Sequence, residues 1–316
     1  RLLDGVIAGV KDGGNKSGVP TVAGALYFDE TYLGKCLVFV GALGLMPRAL
    51  HGASGAEKFA RPGDFVLMCG GRVGVDGIHG VTASSEVSSP GTPAGHVQIG
   101  DPYTQKKMHD FLLEARDLGY INFITDCGGG GLSSAVGESA RLAGGVEVWL
   151  ERVPLKYAGL DPWEIWVSES QERMVVGLAP EHLKAFQDLA RRHEVEVSVI
   201  GRFTDRGRLE ISHHGRACAH MDLAFLEEEF PPWEFEAEWV PPEERLTEPV
   251  VGEVQDHRGL LLTMLNRPNL CSREWIPRQY DHEVQGMSVI KPLTGRDCQI
   301  PSDAAVLCPP QEGHRG

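Results

Sequence analysis

The chain has no apolar run near the roughly 20 residues that a membrane-spanning helix needs, and its opening residues carry no signal-peptide pattern. It also lacks positive charge in excess. Thirty Lys and Arg stand against 44 Asp and Glu, a formal net charge of −14. With no basic stripe to neutralise phosphates, nucleic acid and anionic membrane surfaces are excluded as partners. Cysteine is sparse and scattered: Cys36, Cys69, Cys127, Cys218, Cys271, Cys298 and Cys308 are odd in number and form no C-x-x-C pair. That pattern excludes a disulfide framework or a structural zinc site and fits the reduced thiols of a cytoplasmic protein. His213, His214, Cys218 and His220 lie close in sequence, but their spacing matches no known zinc pattern. No internal repeat is visible.

What remains is an ordinary globular composition. The 316 residues are 42% hydrophobic and 23% charged, enough to bury a sizeable core, with two domains the natural expectation. The chain opens within an element, since Leu2, Leu3, Val6, Ile7 and Val10 share one helical face without a start residue or cap. It stops after an apolar strand, Ala304 to Leu307. The expectation is a piece of a longer polypeptide.

The strongest local signal runs from Ile124 to Ala135. An apolar run, Tyr120 to Ile124, predicts a buried strand leading to Asp126; four glycines, Gly128 to Gly131, follow; a helical pattern then runs from Leu132 to Ala143. A strand end, a glycine turn and a helix start bring backbone N–H groups and a carboxylate to one spot, which suits a phosphate, a bound Mg²⁺, or both. The glycines allow close approach and positive φ. The plainer reading, in which Asp126 only ends a strand and the glycines only form a loop, stays open on this stretch alone. Cys127 reads as a small buried filler in preference to a reactive thiol.

In chain order, residues 1–16 predict a helix closed by Asp12-Gly-Gly-Asn15, followed by strands Val19–Leu26 and Leu37–Leu45 and a boundary loop at 47–62. Strand Asp64–Cys69 enters a loop with Gly70, Gly71, Gly74, Gly77 and Gly80, whose ionisable groups are Arg72, Asp76 and His79. Polar residues 82–95 predict a surface loop. Asp101 and Pro102 are N-cap and first position of a helix to Leu118. Strand Val146–Leu150 and a loop, Pro154–Pro162, follow. Strand Met174–Leu178, helix Pro180–His193 and strands Val195–Phe203 and Arg208–Ser212 come next. Between Val167 and Met174 sits Ser168-Glu-Ser-Gln-Glu-Arg173, with more carboxylate, hydroxyl and amide than a turn requires. Residues 226–248 read as an acidic linker rich in Glu, Pro and Trp, followed by a short helix, Gly259–Leu265, and strand Met287–Ile290.

Several of these segments, in this order, resemble one family: Gly70-Gly-Arg-Val-Gly-Val-Asp-Gly-Ile-His-Gly80 with Ser84-Ser-Glu86, then Val97-Gln-Ile-Gly-Asp-Pro102, then Asp126 with its glycine turn. Ser168-Glu-Ser-Gln-Glu-Arg-Met174, Arg278-Gln-Tyr-Asp-His-Glu-Val284 and the opening Asp12-x-x-Asn15 to Gly24 complete the set. The chain resembles the synthetase subunit of the phosphoribosylformylglycinamidine synthases, in the aminoimidazole ribonucleotide synthetase-like (PurM-like) superfamily. The resemblance covers nearly the whole chain.

It implies an α/β (α+β) fold of PurM-like mixed sheets with helices packed on them in two layers, incomplete at both ends. Residues 1–50 would be the C-terminal part of a first N-terminal-like domain. Residues 63–211 would form a first C-terminal-like domain, and 212–316 an acidic linker and the start of a second half. The implied activity is an ATP- and Mg²⁺-dependent ligase of purine biosynthesis. It converts formylglycinamide ribonucleotide, ammonia and ATP to formylglycinamidine ribonucleotide, ADP and phosphate through an iminophosphate. Ammonia would come from glutamine through a glutaminase subunit (PurQ), with a small accessory subunit (PurS). Position by position, the resemblance makes Asp126 a Mg²⁺ ligand, Gln98 a substrate contact and Glu169, Ser170 and Gln171 a substrate-binding turn. It leaves Asp76 and His79 without a role, and Ala25 stands where the family commonly carries a glutamate. The family's catalytic histidines, ATP contacts and further Mg²⁺ ligands lie upstream of this chain, so no catalytic residue is assigned within it and the piece alone is expected to be inactive. The alternatives are another ATP-dependent enzyme of the superfamily, or a non-catalytic assembly module whose exposed apolar surfaces self-associate.

Overall fold

The computed structural model describes residues 2–86, 94–227, 233–239, 241, 250 and 252–309. Its centre is a strand that is apolar on both sides. In β1, Phe65–Gly70, Val66 and Met68 enter one core cluster while Leu67 and Cys69 enter another. This is the alternation expected of a strand covered on both faces. Around it lie β2 (Ile121–Asp126), β3 (Val146–Trp149), β4 (Arg173–Leu178), β5 (Val197–Phe203), β6 (Arg208–His213) and β7 (Arg216–Asp222). Their spatial order is β2-β4-β1-β5-β3-β6-β7. All neighbouring pairs are antiparallel except β3 and β6, so the sheet is mixed.

Helices cover both faces, which makes three layers where two were expected. On one side, α1, Leu2–Ser17, packs on α3, Pro102–Asp117; α2, Gly80–Ser85, is a short exposed helix between them in sequence. Met108, Phe111, Leu112 and Ala115 of α3 form a stripe at helical spacing against the sheet. On the other side pack α4, Leu132–Ser139, and α5, Pro162–Val167. α6, Leu183–Arg192, returns to the first side, where Phe186 meets Phe111 edge-on at 4.8 Å. Within the sheet, Gly177 of β4 makes room for the Phe123 ring of β2; any side chain there would overlap it.

Several sequence expectations shift. The first helix runs on through Asp12-Gly-Gly-Asn15 to Ser17, helped by a Lys16–Asp12 ion pair one turn apart at 2.9 Å. The helix expected to reach Ala143 ends as an α-helix at Ser139, whose hydroxyl bonds back to the Ala135 carbonyl at 2.8 Å. Residues 19–26 and 37–45 are not strands: no described strand runs beside them, and Leu37, Val38, Phe39 and Val40 are exposed. Part of the loop expected at 82–95 belongs to α2, and residues 87–93 lie outside the described residues, as do 228–232, 240 and 242–248 of the acidic segment.

The last part of the chain packs on the first. α7, His257–Leu265, is followed by Asn269, whose side-chain amide accepts from the Phe28 N–H at 2.7 Å and donates to the Phe28 carbonyl at 2.8 Å. The Asp281 N–H donates to Asn15 Oδ1 at 3.0 Å, its carbonyl accepts from the Thr21 N–H, and the Gln285 amide reaches the Gly18 carbonyl.

Candidate functional site

The three motifs singled out by sequence converge on one buried carboxylate. The turn between α5 and β4 places Glu169 in the interior, 4% exposed. Glu169 Oε2 accepts from the Gln98 amide at 2.6 Å and from the Val81 N–H at 3.0 Å; Oε1 accepts from the Gly130 N–H at 3.1 Å. Gln98, the first turn of α2 and the glycine turn after β2 are therefore held by a single side chain. A carboxylate accepting backbone and amide donors is a strong, fully satisfied use of a buried charge.

Close backbone approach makes this possible. Gly131 has φ +58, and a Cβ there would overlap the Ser168 carbonyl. Within the glycine turn, N–H groups of Cys127, Gly128, Gly130 and Gly131 donate to the Arg173 carbonyl, Asp126, Glu169 and the Gly128 carbonyl. Much of its donor capacity thus goes to internal acceptors. Burial pushes the Cys127 thiol up to about 11, which matches a filler and not a nucleophile.

Asp126 ends β2 in solvent, with Oδ2 accepting from the Gly128 N–H at 3.0 Å. Among the described residues, no three His, Cys, Asp or Glu gather to hold a metal by themselves. One exposed carboxylate does fit a Mg²⁺ that takes its other ligands from phosphates and water, the usual mode for this ion. His213, His214 and His220 lie in the β6–β7 hairpin, with His220 beside Glu210.

Ser170 is fully buried and Gln171 half-buried. Ser170 Oγ accepts from the Gly74 N–H at 3.0 Å and donates to Asp76 Oδ1 at 2.8 Å; the Gln171 amide donates to the Glu169 carbonyl at 2.7 Å. Gln98 and Asp126 are exposed and Gln171 is partly so, whereas Glu169 and Ser170 face inward. The sequence gives no role to the groups that brace the turn from behind. Arg173, 3% exposed, donates to the Ser168 and Ser170 carbonyls, and its burial pulls the guanidinium below its usual range. Lys156 pairs with Asp76 at 2.8 Å. Glu172 sits at φ +62 and accepts from the Asp101 N–H at 3.1 Å, while burial raises its carboxyl. His79 occupies the left-handed position before α2, edge-on to His96 at 6.2 Å. Asp76 and His79 stand out in sequence as ionisable groups of the glycine loop, and Glu172 and Arg173 as members of an unusually polar turn, but no sequence signal pairs Asp76 with Lys156 or turns Arg173 back onto the carbonyls.

Residues 61–214 match the family model for the AIR synthase related protein, C-terminal domain. Over the whole chain, the phosphoribosylformylglycinamidine synthase subunit PurL of Thermoplasma acidophilum is 36% identical across 100% of this chain and 41% of its own length. That of Methanothermobacter thermautotrophicus is 40% identical across 97% of this chain and 41% of its own length. The chain is a PurL homologue. It spans about 41% of these curated relatives. Among solved structures, PurL of Thermotoga maritima in complex with FGAR aligns with a TM-score of 0.68 at 28% identity, covering 92% of this chain and 45% of that one. The PurLQS structure from the same organism aligns at 0.62 and 26% identity, covering 92% and 44%. The mixed seven-stranded sheet with its helices is thus the fold of the PurL structures.

Proposed function

We propose that this chain is the part of an amidine-forming PurL ligase that presents the substrate turn, Glu169–Gln171, and one Mg²⁺ ligand, Asp126. The observation that carries the reading is the Glu169 carboxylate, which fastens Gln98 and the Asp126-bearing glycine turn into one arrangement. A PurL relative has been solved with FGAR and another time with ATP, which supports formylglycinamide ribonucleotide and ATP as ligands here. In the reaction, the glycinamide carbonyl oxygen takes the γ-phosphoryl of ATP with release of ADP, and ammonia then displaces phosphate from that carbon to leave the amidine, the formyl group being untouched. When bound, Mg²⁺ supplies charge neutralisation at the transferring phosphoryl. Asp126 would hold it, Gln98 and Gln171 would present amides to the ribonucleotide, and Glu169 and Ser170 would fix the turn's backbone. The PurLQS assembly of the relative supports a glutaminase and a small accessory subunit as partners.

Residues 1–50 are read as the C-terminal part of a first PurM-like N-terminal domain, 63–211 as a first C-terminal-like domain, whose sheet runs on into β7, and 212–316 as an acidic linker and the beginning of a second half, in a cytoplasmic protein with unpaired thiols. Turnover by this chain alone is expected to be absent, and ATP-dependent amidine formation by it would overturn that point. The test of the site is thermal stability with and without formylglycinamide ribonucleotide. At about 100 times its dissociation constant a ligand adds roughly 2.7 kcal/mol to the folded state. The expected shift should vanish in Gln98→Ala and persist in Asp126→Asn without Mg²⁺. No shift in the unmodified chain would remove the substrate assignment.

A further inference from the structure

The sequence assigns Asp76 no role, and the geometry around it is specific. Its Oδ1 is shared by Ser170 Oγ at 2.8 Å and Lys156 Nζ at 2.9 Å, and its Oδ2 meets Lys156 Nζ at 2.8 Å. The Asp76 side chain is 14% exposed and that of Lys156 38% exposed. Although burial alone would raise it, the hydrogen bonds from Lys156 and Ser170 hold the Asp76 carboxyl below the usual range. Both oxygens are thus committed within the protein, so Asp76 acts through its partners and not by touching a ligand.

Those partners form a stack of three segments. The outer one, residues 154–157, is stitched to the glycine loop by Val73 N–H to the Pro154 carbonyl at 2.9 Å and Lys156 N–H to the Val73 carbonyl at 2.8 Å. Tyr157 OH also accepts from the Val75 N–H at 2.8 Å. The glycine loop is stitched to the inner turn by Gly74, whose N–H donates to Ser170 Oγ and whose carbonyl accepts from Ser168 Oγ at 2.7 Å. Gly74 has no room for a side chain, because a Cβ would press on Asp76 Oδ1. The Asp76 side chain bonds to both the outer segment and the inner turn. Ser170 adjoins Glu169, which in turn positions Gln98 and Gly130.

We propose that Asp76, locked by Lys156, is a positioning residue that sets the register of the Ser168–Gln171 turn and thereby the affinity for the ribonucleotide substrate. This rests on the substrate reading given above. Asp76 bonds to Ser170 of the substrate turn and makes no bond to the Asp126 turn, so the effect is expected on substrate affinity ahead of ATP affinity or the chemical step.

The experiment uses a polypeptide of full PurL length that includes this chain, assayed with ammonia and ATP. Lys156→Met removes the ion pair from the solvent side, where the fold is least at risk, and Asp76→Asn keeps an acceptor for Ser170 while removing the charge. Both are expected to raise the KM for formylglycinamide ribonucleotide by about tenfold, equivalent to about 1.4 kcal/mol. The KM for ATP and kcat should stay within about twofold, and Lys156→Arg should restore the substrate KM. A fall in melting temperature with an unchanged substrate KM would make the stack merely structural and overturn the proposal. So would a loss confined to kcat. An unmodified protein that makes no amidine would instead overturn the functional reading itself, so the two failures are distinguishable.

Discussion

Glu169 concentrates the consequences of single-residue change. Truncation in Glu169→Ala takes the shared acceptor away from the part-buried donors of Val81, Gln98 and Gly130. An unsatisfied buried donor costs about 1–3 kcal/mol, and water admitted to the gap recovers part of it. A loss of about 3 kcal/mol in unfolding free energy is expected from urea titration. Glu169→Gln keeps one acceptor oxygen but turns an amide NH₂ toward existing donors, so an intermediate loss is expected. A Glu169→Ala variant as stable as the parent would show that the three segments do not depend on this carboxylate. The same residue explains why the site was only half legible. The glycine turn is visible in sequence as a place where N–H groups gather, but the acceptor for Gly130 comes from 39 positions away. Nothing local reveals that the carboxylate arrives from inside the protein.

At the scale of elements, α3 shows how a local signal survives into the structure. Asp101 accepts from the N–H groups of Tyr103 and Thr104, and Pro102 follows as the first helical residue. Replacing it by alanine should cost about 1 kcal/mol. Hydrogen bonds from Thr104, foremost its hydroxyl, hold the Asp101 carboxyl below its usual range. Because the folded value is depressed, the stabilisation is complete above the unfolded carboxyl value of about 3.9 and disappears as pH falls through the folded value. Unfolding curves of the parent and Asp101→Ala should therefore differ at neutral pH and converge in acid. A gap that persists in acid would assign the effect to something other than the ionised cap.

The buried strands were readable for a related reason: β1, and β4 after Arg173, carry near-continuous apolar runs because both faces are covered, and β5 keeps Val197, Val199, Ile200 and Phe203 despite Ser198 and Arg202. β7 was missed because its residues are largely exposed at the sheet edge. α5 was missed although Asp161, Pro162 and Glu164 spell a helix start, with Glu164 accepting from the Asp161 N–H at 2.7 Å. Residues 19–26 and 37–45 misled in the opposite direction. Apolar sequence proposes a strand, but a neighbour must supply the hydrogen bonds, and no described strand does so.

For the whole molecule, those same residues leave a broad apolar surface. Leu37, Phe39, Leu43 and Leu45 are exposed in one segment, and Leu261, Leu262 and Leu265 in α7. Surfaces of this kind drive association in water. Light scattering across a concentration series should show the average mass of this chain rising, and Phe39→Ser with Leu43→Ser should flatten the rise. A constant monomer mass at every concentration would show that the surface is not sticky.

The contact between Asn269 and Phe28 closes 241 positions of chain. Joining distant segments costs entropy that grows only slowly with length, about 0.6 kcal/mol per doubling, but it slows the search for the contact. The seven-stranded sheet lies wholly within the closed span. Once the sheet has formed, the remaining ends are short tethers on a rigid body. The clasp is therefore expected to form after the sheet and to open before it. Under native conditions, the amide hydrogen of Phe28 should exchange with solvent well ahead of that of Val66, although both are hydrogen-bonded.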